Sequence, residues 1–440
     1  MDPERHVEVY KELGEHMKRA PTEIIAKETI AEETTVTKKM RPVIPDLAQI
    51  FEAVAPVVYL GSHQSQALRM AVHSKADEPI GTASIASCMA LVLALVSNDA
   101  VKAKLLSFLG FRDVEQLLSL KDQFRSLSAL LSPAARAALE SSPGGAACKM
   151  LWEAMGAECI PLQACLEDQV NEMLKKAWET DENVFKPFQI IPENQVKDLI
   201  AALVSMEKIK VSWKEELDFY REEEFTTASG EKVPAKFCAD EDKRTMNGLT
   251  FEGGEAVLLP CKPDAKTGKL RGMIFVLPPE DNQNLDTCLK ALAAHADKDG
   301  KGLVFDQQGT YEFSFPAFDA KKAPDTILPW LSEYVPELFV PDSACMEGTL
   351  PAELVNGVAY VGEVQHGASI KADRKGAEAK AVTVAAVVLY RSLPPQPTKF
   401  KCNRPFLSIL ATLKAGTNEV ENVEFVTKHE TSKTLDLTVE

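Results

Sequence analysis

The sequence predicts an α+β fold in which mainly antiparallel sheets follow a largely helical first half, and three observations predict it. Apolar residues recur three and four apart in most runs between Leu47 and Met206. Alternating and β-branched runs take over after about Trp213, and Gly, Pro and Asp turns separate them. Helices first and strands afterwards point to segregated layers and not to a doubly wound parallel sheet.

Taken in order, residues 1–45 are rich in charge, carry Thr and Glu repeats (IAKETIAEETTVTKK) and end at RPVIP, which reads as a loosely attached extension with some helix. Residues 46–440 read as a single domain. From Leu47 to Leu131 the pattern is helical in FEAVAPVVYL, SIASCMALVLALV and AKLLSFLGF, with Pro133 and the SSPGG at Ser141 to Gly145 as interruptions. Helical spacing returns in LWEAMGAECIPLQACLEDQVNEMLKKAWE and in QVKDLIAALVSM. The strand-like runs are EAVLLP, GMIFVLP, YEFSFPAF, GVAYVGEVQ, ASIKA, AVTVAAVVLY, PFLSILATL and VENVEFVTK, with no internal repeat.

Composition excludes several classes. The chain has 440 residues and a formal net charge of -16, so a phosphate backbone meets repulsion over most of the surface, and nucleic acid is not an expected partner. The longest apolar run, Met89 to Val96, is far below the roughly 20 residues that cross a bilayer. The N-terminus, MDPERHVEVYKELGEHMKRA, lacks the apolar stretch of a secretory signal, so a cytoplasmic location is expected, with export by another route left open.

Nine cysteines, an odd number with no Cys-x-x-Cys pair, predict reduced and mostly buried thiols. Trp152, Trp178, Trp213 and Trp330 stand at apolar spacing and read as core. The DKDG at Asp297 to Gly300 lacks the third acidic position and the later Glu of a calcium loop, so no metal is expected there. No Gly-x-Ser-x-Gly elbow, Walker loop or dinucleotide fingerprint occurs, and the seven His are mostly isolated. No enzyme, cofactor or metal chemistry is expected.

The informative stretch is GAEAKAVTVAAVVLYRSLPP, from Gly376 onward. Side chains alternate along a strand, so one face presents Ala377, Ala379, Ala381, Thr383 and Ala385, all small, while Glu378, Lys380 and Val382 lie on the other. A strand normally gains burial from large apolar residues. A segment that must slide between strands already packed over a core can do so only if its inward face adds little volume. Gly376 at its start reads as a hinge, because glycine crosses backbone regions closed to other residues.

The flanks of this stretch resemble the serpin family. GEVQHGASIKADRKGAEAKAVT is similar to the strand and hinge that precede that family's reactive loop, and SLPPQPTKFKCNRPFLSIL to its strand re-entry, with the Pro-Phe signature at Pro405-Phe406. ASIASCMALVLALV resembles the buried helix with its shutter serine at Ser84, and LEDQVNEMLKKAWE the INxWVxxxT helix. SWKEELDFYREEEFTTASGEKVPAKF is similar to the WKxxFd…F…xGxxVpv stretch with Trp213 at its tryptophan, and IFVLPPED, FSFPAFDA and ELFVPDSACMEGTL follow in the family's order. The resemblance runs over about residues 47–425.

It implies three mainly antiparallel sheets with an exposed reactive loop at about 376–397, and a suicide-substrate inhibitor of serine proteases, trypsin-like or subtilisin-like, acting as a monomer. It also implies site residues: a reactive bond at Arg391-Ser392, or at Tyr390-Arg391 when counted forward from Gly376; a hinge of Gly376, Ala377, Glu378, Ala379, Lys380, Ala381 and Thr383; and shutter and breach residues Ser84, Ser205, Trp213 and His366. Arg followed by Ser-Leu-Pro-Pro suits a trypsin-like pocket with an acidic base. The departures are Ser205 in place of the shutter asparagine, Gly81 in place of a second serine, Arg374 in place of an acidic residue, Ala377 in place of Thr or Ser, Lys380 among the alanines, and an ending without Phe-x-Gly-Arg-Val. They keep open a non-inhibitory binding or chaperone-like member and an inhibitor of papain-like cysteine proteases.

Overall fold

Capping side chains decide where the first helices begin. In the computed structural model, which describes residues 62–119, 127–178, 201–205, 209–265, 267–300, 302–340, 345–346, 349, 359–362, 364–377 and 398–436, α1 (His63–Val72) starts where Ser62 accepts the Ser65 amide. The α2 helix (Thr82–Leu95) is apolar on nearly every side and buried. Asn98 accepts the Ala100 and Val101 amides to start α3 (Asp99–Leu109), which ends at Gly110 with φ 77°. A Cβ there would come within 2.5 Å of the His63 backbone, so glycine is required for close approach as well as for its dihedral.

After α4 (Val114–Ser119) and β1 (Leu127–Leu131), Ser132 and Ser142 cap α5 (Pro133–Ser141) and α6 (Pro143–Ala154). Pro133 and the SSPGG segment, expected to interrupt helix, open two new ones, because proline fits the first turn where its missing N–H costs nothing. Next come β2 (Glu158–Pro161), α7 (Leu166–Trp178) and β3 (Ala201–Ser205). All three early strands fall in stretches with helical spacing. They form a sheet of order β2-β1-β3, β1 pairing parallel to β2 and antiparallel to β3. The correction has a physical reason: β1 is buried at all five positions, and a short run buried on both faces carries no alternation to distinguish it from helix.

The second half supplies the expected antiparallel strands. They are β4 (Val211–Ser212), β5 (Phe219–Thr226), β6 (Lys232–Ala239), β7 (Arg244–Phe251), β8 (Gly254–Pro260) and β9 (Leu270–Leu277), then α8 (Leu285–Asp297), which Asn284 caps. After α8 come β10 (Gln307–Pro316), β11 (Phe318–Thr326), α9 (Leu328–Tyr334), β12 (Gln365–Ala372), β13 (Gly376–Ala377), β14 (Thr398–Lys401), β15 (Phe406–Leu413) and β16 (Val420–His429). Of the run GVAYVGEVQ, Ala359–Gly362 is not strand, and the Val361 amide bonds Leu338 O instead of a ladder partner. Where Phe-x-Gly-Arg-Val is missing, β16 forms nonetheless and pairs with β15.

One nine-stranded sheet runs β16-β15-β9-β8-β7-β10-β6-β5, with β14 added parallel to β10. Its two faces feed two cores. Ile274, Val276, Leu407 and Ile409 meet α2, α8 and Trp152 on one side, and Phe275, Phe406, Phe313, Phe315 and Trp213 meet on the other, as a period of two demands. The remaining pairs are β11-β12 and β13-β4. Among the described residues, the second edges of β3 and β12 carry no paired strand.

All nine cysteines are free, six of them buried and Cys165 exposed. The Asp297 carboxylate of the DKDG segment accepts the Ser62 amide and pairs with Arg69. No helix among the described residues is long and apolar enough to cross a membrane.

Candidate functional site

Two clusters, one at each end of β12, surround the unpaired edges. At the C-terminal end the chain turns through Asp373–Lys375 into β13. The Asp373 amide donates to Gly376 O (2.9 Å), and the Asp373 carboxylate accepts the Lys375 (2.7 Å) and Gly376 (3.2 Å) amides, an Asx-type closure of the turn. Gly376 then pairs with Ser212 and Ala377 with Val211, antiparallel. Trp213, fully buried, holds the turn from below: its indole N–H donates to Asp373 O (2.8 Å) and its amide to Lys375 O (3.1 Å).

At Gly376, expected as a hinge, glycine is required for a different reason from the one its residue type first suggests. It has no left-handed φ. A Cβ at Gly376 would lie 2.3 Å from Val211 O and 2.8 Å from Ser212 Cα, so glycine is needed to let β13 approach β4.

At the other end, the first turn of α2 reaches both open strands. Ser84 Oγ donates to Ser205 O and meets Ser205 Oγ, each at 3.3 Å, and Cys88 Sγ donates to Leu203 O at 3.6 Å, tying the helix to β3. The Gly81 amide donates to His366 Nε2 (3.0 Å), tying the same helix end to β12. His366 therefore accepts at Nε2 and carries its proton on Nδ1. Ser84, Ser205 and His366 are brought together around one helix turn, while Trp213 belongs to the hinge cluster. A Cβ at Gly81 would come within 3.3 Å of both His366 Cε1 and a Phe425 ring carbon, so the missing second serine leaves room for the imidazole.

Burial pushes the His366 imidazole down to about 3, and the Lys322 ammonium adds to the push. Burial does the same to His429, also to about 3; its Nε2 lies 2.9 Å from Ser408 Oγ, and its ring stacks on Phe406. Both rings are neutral in the folded chain, whereas the unfolded chain protonates them below about 6.5, so it binds more protons in the window between. Stability is therefore fully present above about 6.5 and falls as pH drops toward 3, by about 1.4 kcal/mol per pH unit for each ring. Unfolding free energies from urea titrations at pH 7 and pH 5 should differ by about 2 kcal/mol per ring, and His429→Gln should remove one ring's share of that difference. A pH-independent midpoint over that range would contradict it.

Of the sequence-predicted residues, Gly376, Ala377, Ser84, Ser205, Trp213 and His366 are placed. Glu378, Ala379, Lys380, Ala381, Thr383, Tyr390, Arg391 and Ser392 lie outside the described residues. Sequence reasoning missed Asp373, for which the signal was an Asp two residues before Lys375 in ADRKG, a turn-forming pattern. It also missed that the Gly81 amide, a backbone group, would be the partner of His366.

The family model described as serpin (serine protease inhibitor) matches residues 77–418. Serpin-Z1A from Triticum aestivum is 24% identical over 376 residues, covering 80% of this chain and 89% of that protein. Serine protease inhibitor 88Ea from Drosophila melanogaster is 30% identical over 139 residues, 31% of this chain and 30% of that protein, so the match spans under a third of that relative's length. Among solved structures, Arabidopsis AtSerpin1 in its native stressed conformation superposes with a TM-score of 0.59 at 18% identity, over 82% of this chain and 94% of that one. With the model match covering most of the chain and the serpin fold around two unpaired strand edges, this chain belongs to the serpin family.

Proposed function

We propose that this chain inhibits serine-type endopeptidases of trypsin-like specificity as a suicide substrate, offering Arg391-Ser392 as the bond to be cut. One observation carries the proposal: the first two rungs of a strand that would fill the space between β3 and β12 are already in place. The antiparallel pairs Gly376 with Ser212 and Ala377 with Val211 set one register, and the two-residue turn closed by Asp373 and Gly376 sets the other.

Extended residue by residue, the first register puts Thr383 opposite Ser205, and the second puts Thr383 opposite His366. The two registers are independent, yet they converge on the residues that α2 holds at the two open edges. Directly paired residues share a face, so Ala377, Ala379 and Ala381 come opposite Ala372, Ile370 and Ala368, all three buried. The small face turns inward, which is the condition for insertion.

The chemistry then follows. A protease serine attacks the Arg391 carbonyl, the Arg391-Ser392 amide breaks, the Ser392 amine leaves with a proton, and an ester joins the protease to Arg391. Severing frees the segment after Ala377 to continue β13 through the body. Roughly ten residues with ladder bonds on both sides, at about 0.5–1.5 kcal/mol net per bond, yield on the order of 10 kcal/mol or more. A shift of about 1 Å at the reacting atoms costs about a hundredfold in rate, so hydrolysis of the ester stalls.

Incubation with trypsin, chymotrypsin and subtilisin, a denaturing gel and the mass of the released C-terminal peptide test mechanism and bond together. The expected result is a gel-stable complex with trypsin and a peptide beginning at Ser392. Cleavage without complex favours the non-inhibitory reading, and a peptide beginning at Arg391 moves the bait to Tyr390.

A further inference from the structure

We infer that Tyr220, on the edge strand β5, is a positioning residue for loop insertion, because it clamps the turn from which the inserted strand must grow. The Arg374 guanidinium lies 5.7 Å from the centre of the Tyr220 ring, within cation–π range. The Lys236 ammonium sits 4.3 Å from the same centre, so the ring serves two cations. Burial pushes the Tyr220 hydroxyl up to about 12, so the ring stays neutral beside both cations. Leu217, three residues before Tyr220, completes the clamp: its amide donates to Arg374 O (2.9 Å) and its carbonyl accepts Arg374 Nη1 (3.4 Å).

The clamp acts on Arg374, the first of the two residues that make the reversal between β12 and β13. This reversal is needed before and after insertion, since the new strand is the hairpin partner of β12. Closing a loop costs entropy before ladder bonds repay it. A turn already held from outside therefore starts the zipper at its third rung. Tyr220 is more than 150 residues from Arg374 in the chain and half-buried, so no local pattern in the sequence marks it.

Because this rests on the inhibitory reading, the test must separate the two. The loop of the intact chain is nicked with subtilisin, and protection of the β3 amides, Ala201 to Ser205, from hydrogen exchange is followed in time. Tyr220→Ala should insert about tenfold more slowly than the parent and, against trypsin, leave more cleaved chain per molecule of complex. Tyr220→Phe, which keeps the ring and is the safer variant to fold, should insert near the parent rate. Arg374→Ala should slow insertion too, and adding it to Tyr220→Ala should change little.

A parental insertion rate in Tyr220→Ala overturns the inference, as does a Tyr220→Phe rate as slow as that of Tyr220→Ala, or full additivity with Arg374→Ala. A clamp that is merely structural would lower the melting temperature of the intact chain and leave the insertion rate unchanged, which likewise overturns it. If the nicked parent gains no protection at all, the inhibitory reading itself fails, and the inference with it.

Discussion

Ala379→Arg should leave the loop fully cleavable and convert the inhibitor into a plain substrate. Continued from the turn closed by Asp373 and Gly376, the register sets Ala379 opposite Ile370, whose side chain is buried in the aromatic core with Phe315 and Trp213. Inserting there would bury a guanidinium with no partner, which costs several kcal/mol. If about 3 kcal/mol of this appears in the barrier, insertion slows more than a hundredfold, and deacylation wins the race. Denaturing gels with trypsin should show cut chain and no complex. Glu378→Arg is the matched control, since it lies on the opposite face and should keep the complex. A stable complex formed by Ala379→Arg would show that insertion is not the trap.

Arg391→Glu should abolish the reaction with trypsin-like proteases, by roughly a thousandfold or more in association rate, because the acidic base of their pocket would meet a carboxylate. The same substitution leaves the hinge, the turn and the shutter untouched, so nicking elsewhere in the loop should still drive insertion. Unchanged rates with trypsin would reject Arg391 as the bait. Chymotrypsin separates the neighbouring bond: if Tyr390 is the reactive residue, Arg391→Glu retains a complex with it while Tyr390→Glu does not.

The sequence made the later strands legible because β9, β15 and β16, though buried at nearly every position, run eight to ten residues with β-branched and aromatic types between turn residues. It hid β1, β2 and β3 because those are short and gain their identity from one another: a run such as AALVS becomes a strand only when LSALL lies beside it. Of the expected hinge, Gly376 and Ala377 form a strand beside β4, and the rest of its small face lies outside the described residues. The physical role of Gly376 was not legible, since a close approach to Val211 belongs to a contact made 165 residues away in the chain.

The shutter was half legible. Ser84, Ser205 and His366 follow from family resemblance, but the Gly81 amide as the partner of His366 is a backbone group that no side-chain pattern announces. Tyr220 and Asp373 illustrate the same limit from opposite ends of one turn: Asp373 acts within its own turn and leaves a local signature, while Tyr220 acts across the sheet and leaves none.

The most direct measurement is the melting temperature of the chain before and after a single nick in the reactive loop. With insertion worth on the order of 10 kcal/mol and a domain of this size, the nicked chain should melt about 10 °C or more above the intact one. Equal melting temperatures for the nicked and intact chains would contradict it, because a severed loop that gains nothing by entering the space between β3 and β12 cannot hold a protease.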